Sequence, residues 1–429
     1  MIKKFIILAS LLLAPTWLIA GEVVGKIQSI SLNSKVIQYL NPKTKEVTII
    51  KFTDTTELID AESFKDLTED TKFKATIDKN NVASKITRIL VKLPENLVID
   101  TDTLSDLLDQ GEPVFIGDAR PLGIYNVGHI PTSKSTPADQ LKANMHWLPE
   151  DKNTFIVFFC GGVTCPLSPA AQKIAMEAGY KNVKAYVEGF PAWKDAVYPS
   201  HVNAQWLSNN LDKHHIILDV RQQPTESVKG AIGLSAEKLA TMHQQMNNDK
   251  VAVSERSIFN LRDKKAPIII VADTADSDSA IEAYEILTFW KFNNAAILRE
   301  GMNGWLTAKL PTDKVASELV YEKKLAKGAI DEASFVKAAK EGSAIIIDVR
   351  DPEEVSHGKI KGSINIPLAE LDQHLDKIPK DGLVILHCLG GSRASLGYTL
   401  LMKKGYNNVK YLNDSFSEIA KENGIELMM

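Results

Sequence analysis

The sequence predicts an α/β protein of three tandem modules, each a parallel sheet flanked by helices, behind a small all-β barrel or sandwich. Three observations carry that prediction. An apolar run ending in Asp-x-Arg occurs three times, as FIGDAR (Asp118, Arg120), IILDVR (Asp219, Arg221) and IIIDVR (Asp348, Arg350). A second apolar run follows each phrase and ends in a short loop, opening at Cys160, Asp273 and Cys388, which lie 42, 54 and 40 positions after the respective aspartates. Residues 21–93 instead alternate apolar and polar positions. An internal repeat constrains architecture more strongly than local propensity does.

Taken in order, residues 1–20 read as a cleavable signal peptide. Lys3 and Lys4 precede an apolar stretch over 5–14, and Ala20 offers a small residue before Gly21. The rival reading is a membrane anchor, but the stretch is short and interrupted by Pro15. No cysteine lies near the cut, which argues against a lipid anchor. The mature chain is expected to be exported, periplasmic and without a membrane span. VVGKIQSISL, KVIQYLN, EVTIIKF and KFKATID then give the β module, 21–93, with a structural or docking role.

Strand–helix alternation begins near Val98. The first module (95–200) runs TDTLSDLLDQG, PVFIGD, TFIVFFC, PAAQKIAMEAGY and VKAYVEG. The second (201–312) keeps that skeleton with extra residues between Ser235 and Lys265, a linker takes 313–327, and the third module fills 328–429. Strands rich in Val, Ile and Phe without alternation belong to parallel sheets covered on both faces. Length allows three or four cores. Net charge is −4 with no basic cluster, so nothing points to a nucleic-acid partner. All three cysteines fall inside two of the repeat loops. No metal or cofactor is implied.

The third loop, His387-Cys388-Leu389-Gly390-Gly391-Ser392-Arg393, sits between a buried strand and a helix. A thiol there faces backbone N–H groups and the positive end of the helix, and both favour the thiolate. Gly390 and Gly391 let the backbone curl around the sulfur, and Arg393 can grip an anion. A thiolate in such a cradle can attack sulfur or phosphorus.

On these motifs the chain resembles the rhodanese family, in three tandem copies over roughly 95–429. DVRDPEEVSHGKIKGSINIP with HCLGGSR resembles a catalytically complete module; DARPLGIYNVGHIP, CGGVTC and EGFPAW resemble the family in the first copy, and DVR with REGMNGW in the second. Cysteine phosphatases of similar design place the arginine one position further on, where this chain has Ala394. The resemblance implies a five-stranded parallel sheet in each module and the activity of a sulfurtransferase. Cys388 would accept sulfane sulfur from a donor such as thiosulfate or polysulfide and pass the persulfide sulfur to a thiophilic acceptor such as a thiol. Arg393 would bind the anion and Leu389–Ser392 supply the cradle. The Asp-x-Arg pairs (Asp118/Arg120, Asp219/Arg221, Asp348/Arg350) would be structural.

The first loop departs from the family pattern. Its cradle is Gly161, Gly162, Val163 and Thr164, and Cys165 stands where the arginine is expected. Cys160 is the nucleophile by position. A persulfide on Cys160 attacked by Cys165 would release reduced sulfur, while a plain loop disulfide is the alternative. Asp273, with Asp276 and Asp278, makes the second loop acidic and inactive.

Smaller features read as structural. His387 is expected to be structural, His129 and His357 to be surface or capping groups, and Trp193 and Trp305 to be core. The third copy lacks that tryptophan, so its last helix is expected to be shortened or altered. The function expected is an exported sulfurtransferase, with a periplasmic protein as a further partner. The competing reading is a non-enzymatic scaffold docking partners or carrying sulfur or selenium. Phosphatase or arsenate reductase chemistry is disfavoured by the short loop.

Overall fold

A computed structural model describes residues 21–428, apart from 33, 45–46, 70, 247–260, 262 and 317. The expected signal segment lies outside the described residues. The chain divides into two compact units: the region up to Ile89 together with the region from Ala326 onward, and Leu90–Leu325.

The β module has strands β1 (Gly21–Ser31), β2 (Val36–Leu40), β3 (Val47–Lys51), β4 (Glu57–Ile59), β5 (Lys72–Ile77) and β6 (Ala83–Arg88). They form one sheet in the order β3-β2-β1-β5-β6-β4, antiparallel except for the β4–β6 pair. A bridge between Lys51 and Val82 joins the β3 edge to the segment before β6, which curls the sheet toward a barrel. Inside it pack Ile27, Ile37, Ile50, Phe73 and Ile86. The alternation foretold β1, β2, β3 and β5. It missed β4 and β6, because ELI is too short and ASKITR carries only one large apolar residue.

The second unit holds two modules. The first contains β7 (Val114–Asp118), β8 (Lys134–Ser135), β9 (Phe155–Phe159) and β10 (Val183–Tyr186), in the order β10-β9-β7-β8 and all parallel. A single Val98–Ala185 bridge stands where a fifth strand would pair, so the expected five-strand count is met there only by a bridge. In the second module are β11 (His201–Val202), β12 (Ile216–Asp219), β13 (Glu226–Val228), β14 (Ile232–Gly233), β15 (Ile268–Val271), β16 (Ala295–Leu298) and β17 (Thr312–Lys314). Its five-stranded sheet runs β11-β16-β15-β12-β14. IILD, IIIV and AAIL are buried at every position, as strands covered on both faces must be.

The two modules are stitched together. His129 and His201 exchange backbone hydrogen bonds of 3.0 and 2.9 Å, and Arg299 Nη1 donates to Tyr125 Oη (3.2 Å) and to the Ser133 carbonyl (3.3 Å). The segment read as a linker is largely part of the second module. β17 pairs antiparallel with β13, Ala316 bridges to Ile232, Leu319 and Tyr321 pack on the core, and Glu322 N–H donates to the Lys213 carbonyl. Its polar composition hid these contacts, most of which are made by backbone atoms.

The third module contains β18 (Ala329–Ile330), β19 (Ile345–Asp348), β20 (Lys359–Ile360), β21 (Ile364–Asn365), β22 (Val384–His387), β23 (Val409–Leu412) and β24 (Leu427–Met428). Its parallel sheet repeats the order of the second module, β18-β23-β22-β19-β21. The helix Glu332–Glu341 starts at Asp331, whose carboxylate accepts the Ser334 N–H at 2.8 Å, and stops at Gly342 in the left-handed region (φ 63°). The last helix is not shortened: Phe416–Asn423 has 8 residues against 7 in each of Gly189–Asp195 and Gly301–Thr307. Phe416 and Ile419 fill the core where the other modules bury Trp193 and Trp305, so losing the tryptophan does not cost the helix.

The β module packs onto the third module. Val36 is buried in that module's core beside Ile49, and Lys51 Nζ donates to the Ala369 carbonyl at 3.0 Å.

Candidate active site

Each Asp-x-Arg phrase folds the same way. The aspartate ends a central strand, fully buried, and accepts the arginine's own backbone N–H at 3.0 Å and its Nε. The same arginine also donates to a carbonyl further along: Gly128 from Arg120, Glu226 from Arg221 and Gly358 from Arg350. Each pair thus ties a strand end to the turn after it. All three are far from being free reagents, because each arginine is already committed to its aspartate and to a backbone carbonyl.

In the third module Cys388 follows β22 and is 1 % exposed. The Gly391 N–H donates to its sulfur at 3.1 Å. Gly391 has φ 92°, and a Cβ there would lie 2.6 Å from Asn413 Oδ1, so only glycine fits this turn. The helix Ser392–Lys403 begins at once, placing the sulfur at its positive end. Leu389, Gly390 and Ser392 are exposed and form the mouth of the loop.

Arg393 is placed differently from a free anion clamp. It is 4 % exposed, its Nη2 donates to Glu354 Oε1 at 2.7 Å, and its Nη1 pairs with Glu354 Oε2 and with Asp351 Oδ2 (3.4 Å). The Arg393 hydrogen bond holds the Glu354 carboxyl below the ordinary range. Burial pushes Asp351 up, with Arg393 pulling it back. Burial also opposes the charge on Arg393, but its pairing with Glu354, the Cys388 sulfur and Asp351 outweighs that. Asp351 and Glu354 form the capping box of the short helix Pro352–Val355, with the Asp351 N–H donating to Glu354 Oε2. Ser34, in the turn between β1 and β2, donates its hydroxyl to Asp351 at 3.3 Å. Sequence reasoning missed all three. The D-x-x-E spacing just after DVR, typical of a capping box, was a usable signal for two of them.

His387 is wholly buried, 3.7 Å from the Asp348 carboxylate, with both ring nitrogens lacking hydrogen bonds and Phe416 packed beside it at 4.4 Å. Burial lowers its pKa to about 4, so it is neutral at pH 7.

In the first module Cys160 is fully buried after β9, with its sulfur 3.3 Å from the Cys165 carbonyl and 3.2 Å from Ser168 Oγ. Both cysteines are free thiols. The Cys165 side chain and then burial push the Cys160 thiol strongly up, and Ser168 only partly offsets them. Gly161 is exposed, Gly162 (φ 103°) lies under Pro191, and Val163 and Thr164 are half-buried. Gly189 is obligatory here, since a Cβ would sit 2.4 Å from the Cys160 carbonyl. The second loop has the same backbone requirement at Gly301, against Asp273. Its Asp273 carboxylate is exposed and 3.7 Å from Arg221 Nη1.

Two histidines diverge. His357 is exposed, with Nδ1 2.9 Å from the Glu353 carbonyl, as expected of a helix-end group. His129 is not a surface group. It is fully buried, stacked on Tyr125 at 3.9 Å, because the second module covers it.

Comparison with known proteins agrees with the repeat. The rhodanese-like domain profile matches 100–196, 203–308 and 332–422, together more than half of the chain. A sulfurtransferase of Allochromatium vinosum is 29 % identical over 78 residues, 18 % of this chain and 73 % of that protein. A tRNA uridine(34) hydroxylase of Pelagibacter ubique is 28 % identical over 146 residues, 32 % of this chain and 48 % of that protein, so less than half of it is spanned. Among solved structures, the thiosulfate sulfurtransferase from Pseudomonas aeruginosa aligns at 18 % identity and a TM-score of 0.23, over 75 % of this chain and 67 % of that one. With three profile matches laid over three Asp-x-Arg sheets and their loops, the chain belongs to the rhodanese-like domain family.

Proposed function

We propose that the protein is an exported sulfurtransferase whose working nucleophile is Cys388. One observation carries this reading: the Gly391 N–H aimed at the Cys388 sulfur, in a glycine turn at a helix N-terminus. In the reaction the Cys388 thiolate attacks the outer sulfur of thiosulfate or the end of a polysulfide chain. The donor's S–S bond breaks, and sulfite or the shortened polysulfide leaves with the electron pair. Cys388 is left as a persulfide. An acceptor thiolate then takes the terminal sulfur and returns the Cys388 thiolate, so no external oxidant or reductant is needed. The donor's negative charge is met by loop N–H groups and the helix end. Arg393, neutralised by two carboxylates, acts by bracing the loop and contributes little free positive charge.

Cys160 follows as the second candidate. Its thiol is pushed up by Cys165, so it is a poor first nucleophile while both thiols are reduced. A persulfide delivered to Cys160 would be resolved by Cys165, releasing sulfide and leaving a disulfide that a dithiol reductant must reopen. The scaffold reading draws support from Asp273 and from the engagement of Arg393. Export rests on the pattern of residues 1–20.

The test is the intact mass of purified, pre-reduced protein after thiosulfate or polysulfide. A gain of one sulfur atom that disappears in Cys388→Ser and persists in Cys160→Ser supports the reading. No gain in the parent protein with either donor moves the assignment to the scaffold.

A further inference from the structure

The inactive second module has lost its nucleophile but not its cavity. Where its loop faces the first module there is a cleft of about 630 Å³, within the usual size range for small-molecule sites. Loop residues Thr274, Ala275 and Asp276 form one wall, and the helix Thr101–Asp109 of the first module forms the other. Tyr198, backed at 4.7 Å by the buried Trp193, lines it with aromatic surface.

Its polar groups are unusual for a structural seam. Arg299 lines the cleft, and among the described residues its guanidinium donates only from Nη1, to a phenol and a carbonyl, with no ion pair. A half-buried guanidinium without a carboxylate is expensive unless something else meets it. His201 also lines the cleft, and its buried Nδ1 has no hydrogen-bond partner. Three carboxylates are present. Glu300 is engaged with the Ala204 N–H at 2.8 Å, whereas Asp276 and Asp109 are exposed. The cleft therefore offers one cationic anchor, two acidic groups and an aromatic wall. A plain anion would meet the acids, and a plain cation would meet Arg299.

We propose that this junction cleft binds a small zwitterionic α-amino acid, its carboxylate on Arg299, its ammonium toward Asp276 and Asp109, and an apolar or thioether side chain against Tyr198. Thioether sulfur packs well on aromatic rings. The site works by binding alone and stands whether or not Cys388 transfers sulfur.

The experiment is calorimetric titration of the full-length protein with L-methionine, its methyl ester (no carboxylate) and its des-amino analogue (no ammonium). The expected result is saturable methionine binding, weakened about tenfold or more by loss of either charged group, since each forms a charge-assisted contact. Arg299→Gln should weaken methionine by a similar factor, and Cys388→Ser should leave it unchanged. Because Arg299 also joins the two modules, Asp276→Asn is the control at an exposed side chain. It should remove the preference for methionine over the des-amino analogue. No binding of methionine at millimolar concentration overturns the proposal. So does binding indifferent to both Arg299→Gln and Asp276→Asn, or tighter binding of either single-charge analogue.

Discussion

The loops at Cys160 and Cys388 share a strand, a turn and a helix, yet they surround their sulfurs with different groups. At Cys388 a backbone N–H, that of Gly391, points at the sulfur. At Cys160 the neighbours are a carbonyl oxygen, a hydroxyl and a second thiol, and the thiol is pushed up. The lesson is that backbone likeness places a cysteine but does not activate it. What differs is the set of groups that meets the sulfur: a loop N–H at Cys388, and above all a second thiol at Cys160.

The sharpest way to break this contrast is by activity. Cys388→Ser is expected to reduce sulfur transfer from thiosulfate by at least about a thousandfold, while Cys160→Ser leaves most of it, measured as sulfite release with a thiol acceptor. Comparable losses in both would erase the distinction. Next comes stability. Glu354→Gln removes one carboxylate from the buried Arg393 guanidinium and should cost about 3 kcal/mol in urea unfolding of the third module. No loss would mean that Asp351 alone suffices.

Acid should affect both regions through buried histidines. His129 is held down to about 3 and His387 to about 4, against 6.5 when exposed, chiefly by burial. The unfolded chain therefore binds more protons than the folded one between those limits. Stability should be level above pH 6.5 and fall below it, by about 1.4 kcal/mol per unit for each group, down to about 4 for His387 and about 3 for His129. A thermal midpoint that stays constant from pH 7 to about pH 4 would contradict this. In the first loop, Cys165→Ser removes the leading cause of the raised Cys160 thiol. The pH midpoint for iodoacetamide labelling of Cys160 should then move down. The smallest effect belongs to Ser34→Ala, which removes one hydrogen bond to Asp351 and should cost about 0.5–1 kcal/mol, read as a small drop in thermal midpoint.

Much of this molecule is written locally. The three sheets were legible because FIGD, IILD and IIID recur ahead of FIVFF, IIIV and VILH, and parallel strands need no partner information to be recognised. Cysteines at strand ends were legible for the same reason. What escaped depended on distant residues. Arg393 meets Glu354 and Asp351 from 39 and 42 positions earlier, and no local pattern around HCLGGSR announces those partners. His129 looks like a corner residue until His201 pairs with it. The 313–322 stretch looks like a connector until β17 finds β13.

Val36 carries a consequence for the order of events at the ribosome. It sits in the β module, among the first described residues to be made, yet it is buried with Ile347, Leu386 and Tyr411 of the third module. Its covering surface is synthesised roughly 300 residues later, at rates of about 5–20 residues per second. For that interval the β module must carry an uncovered apolar spot beside Ser34, and a chain arrested before β19 would keep it. Ending the protein early should thus leave a sticky fragment rather than a smaller well-behaved one. The third rhodanese-like module is the one that lets the β module become fully native.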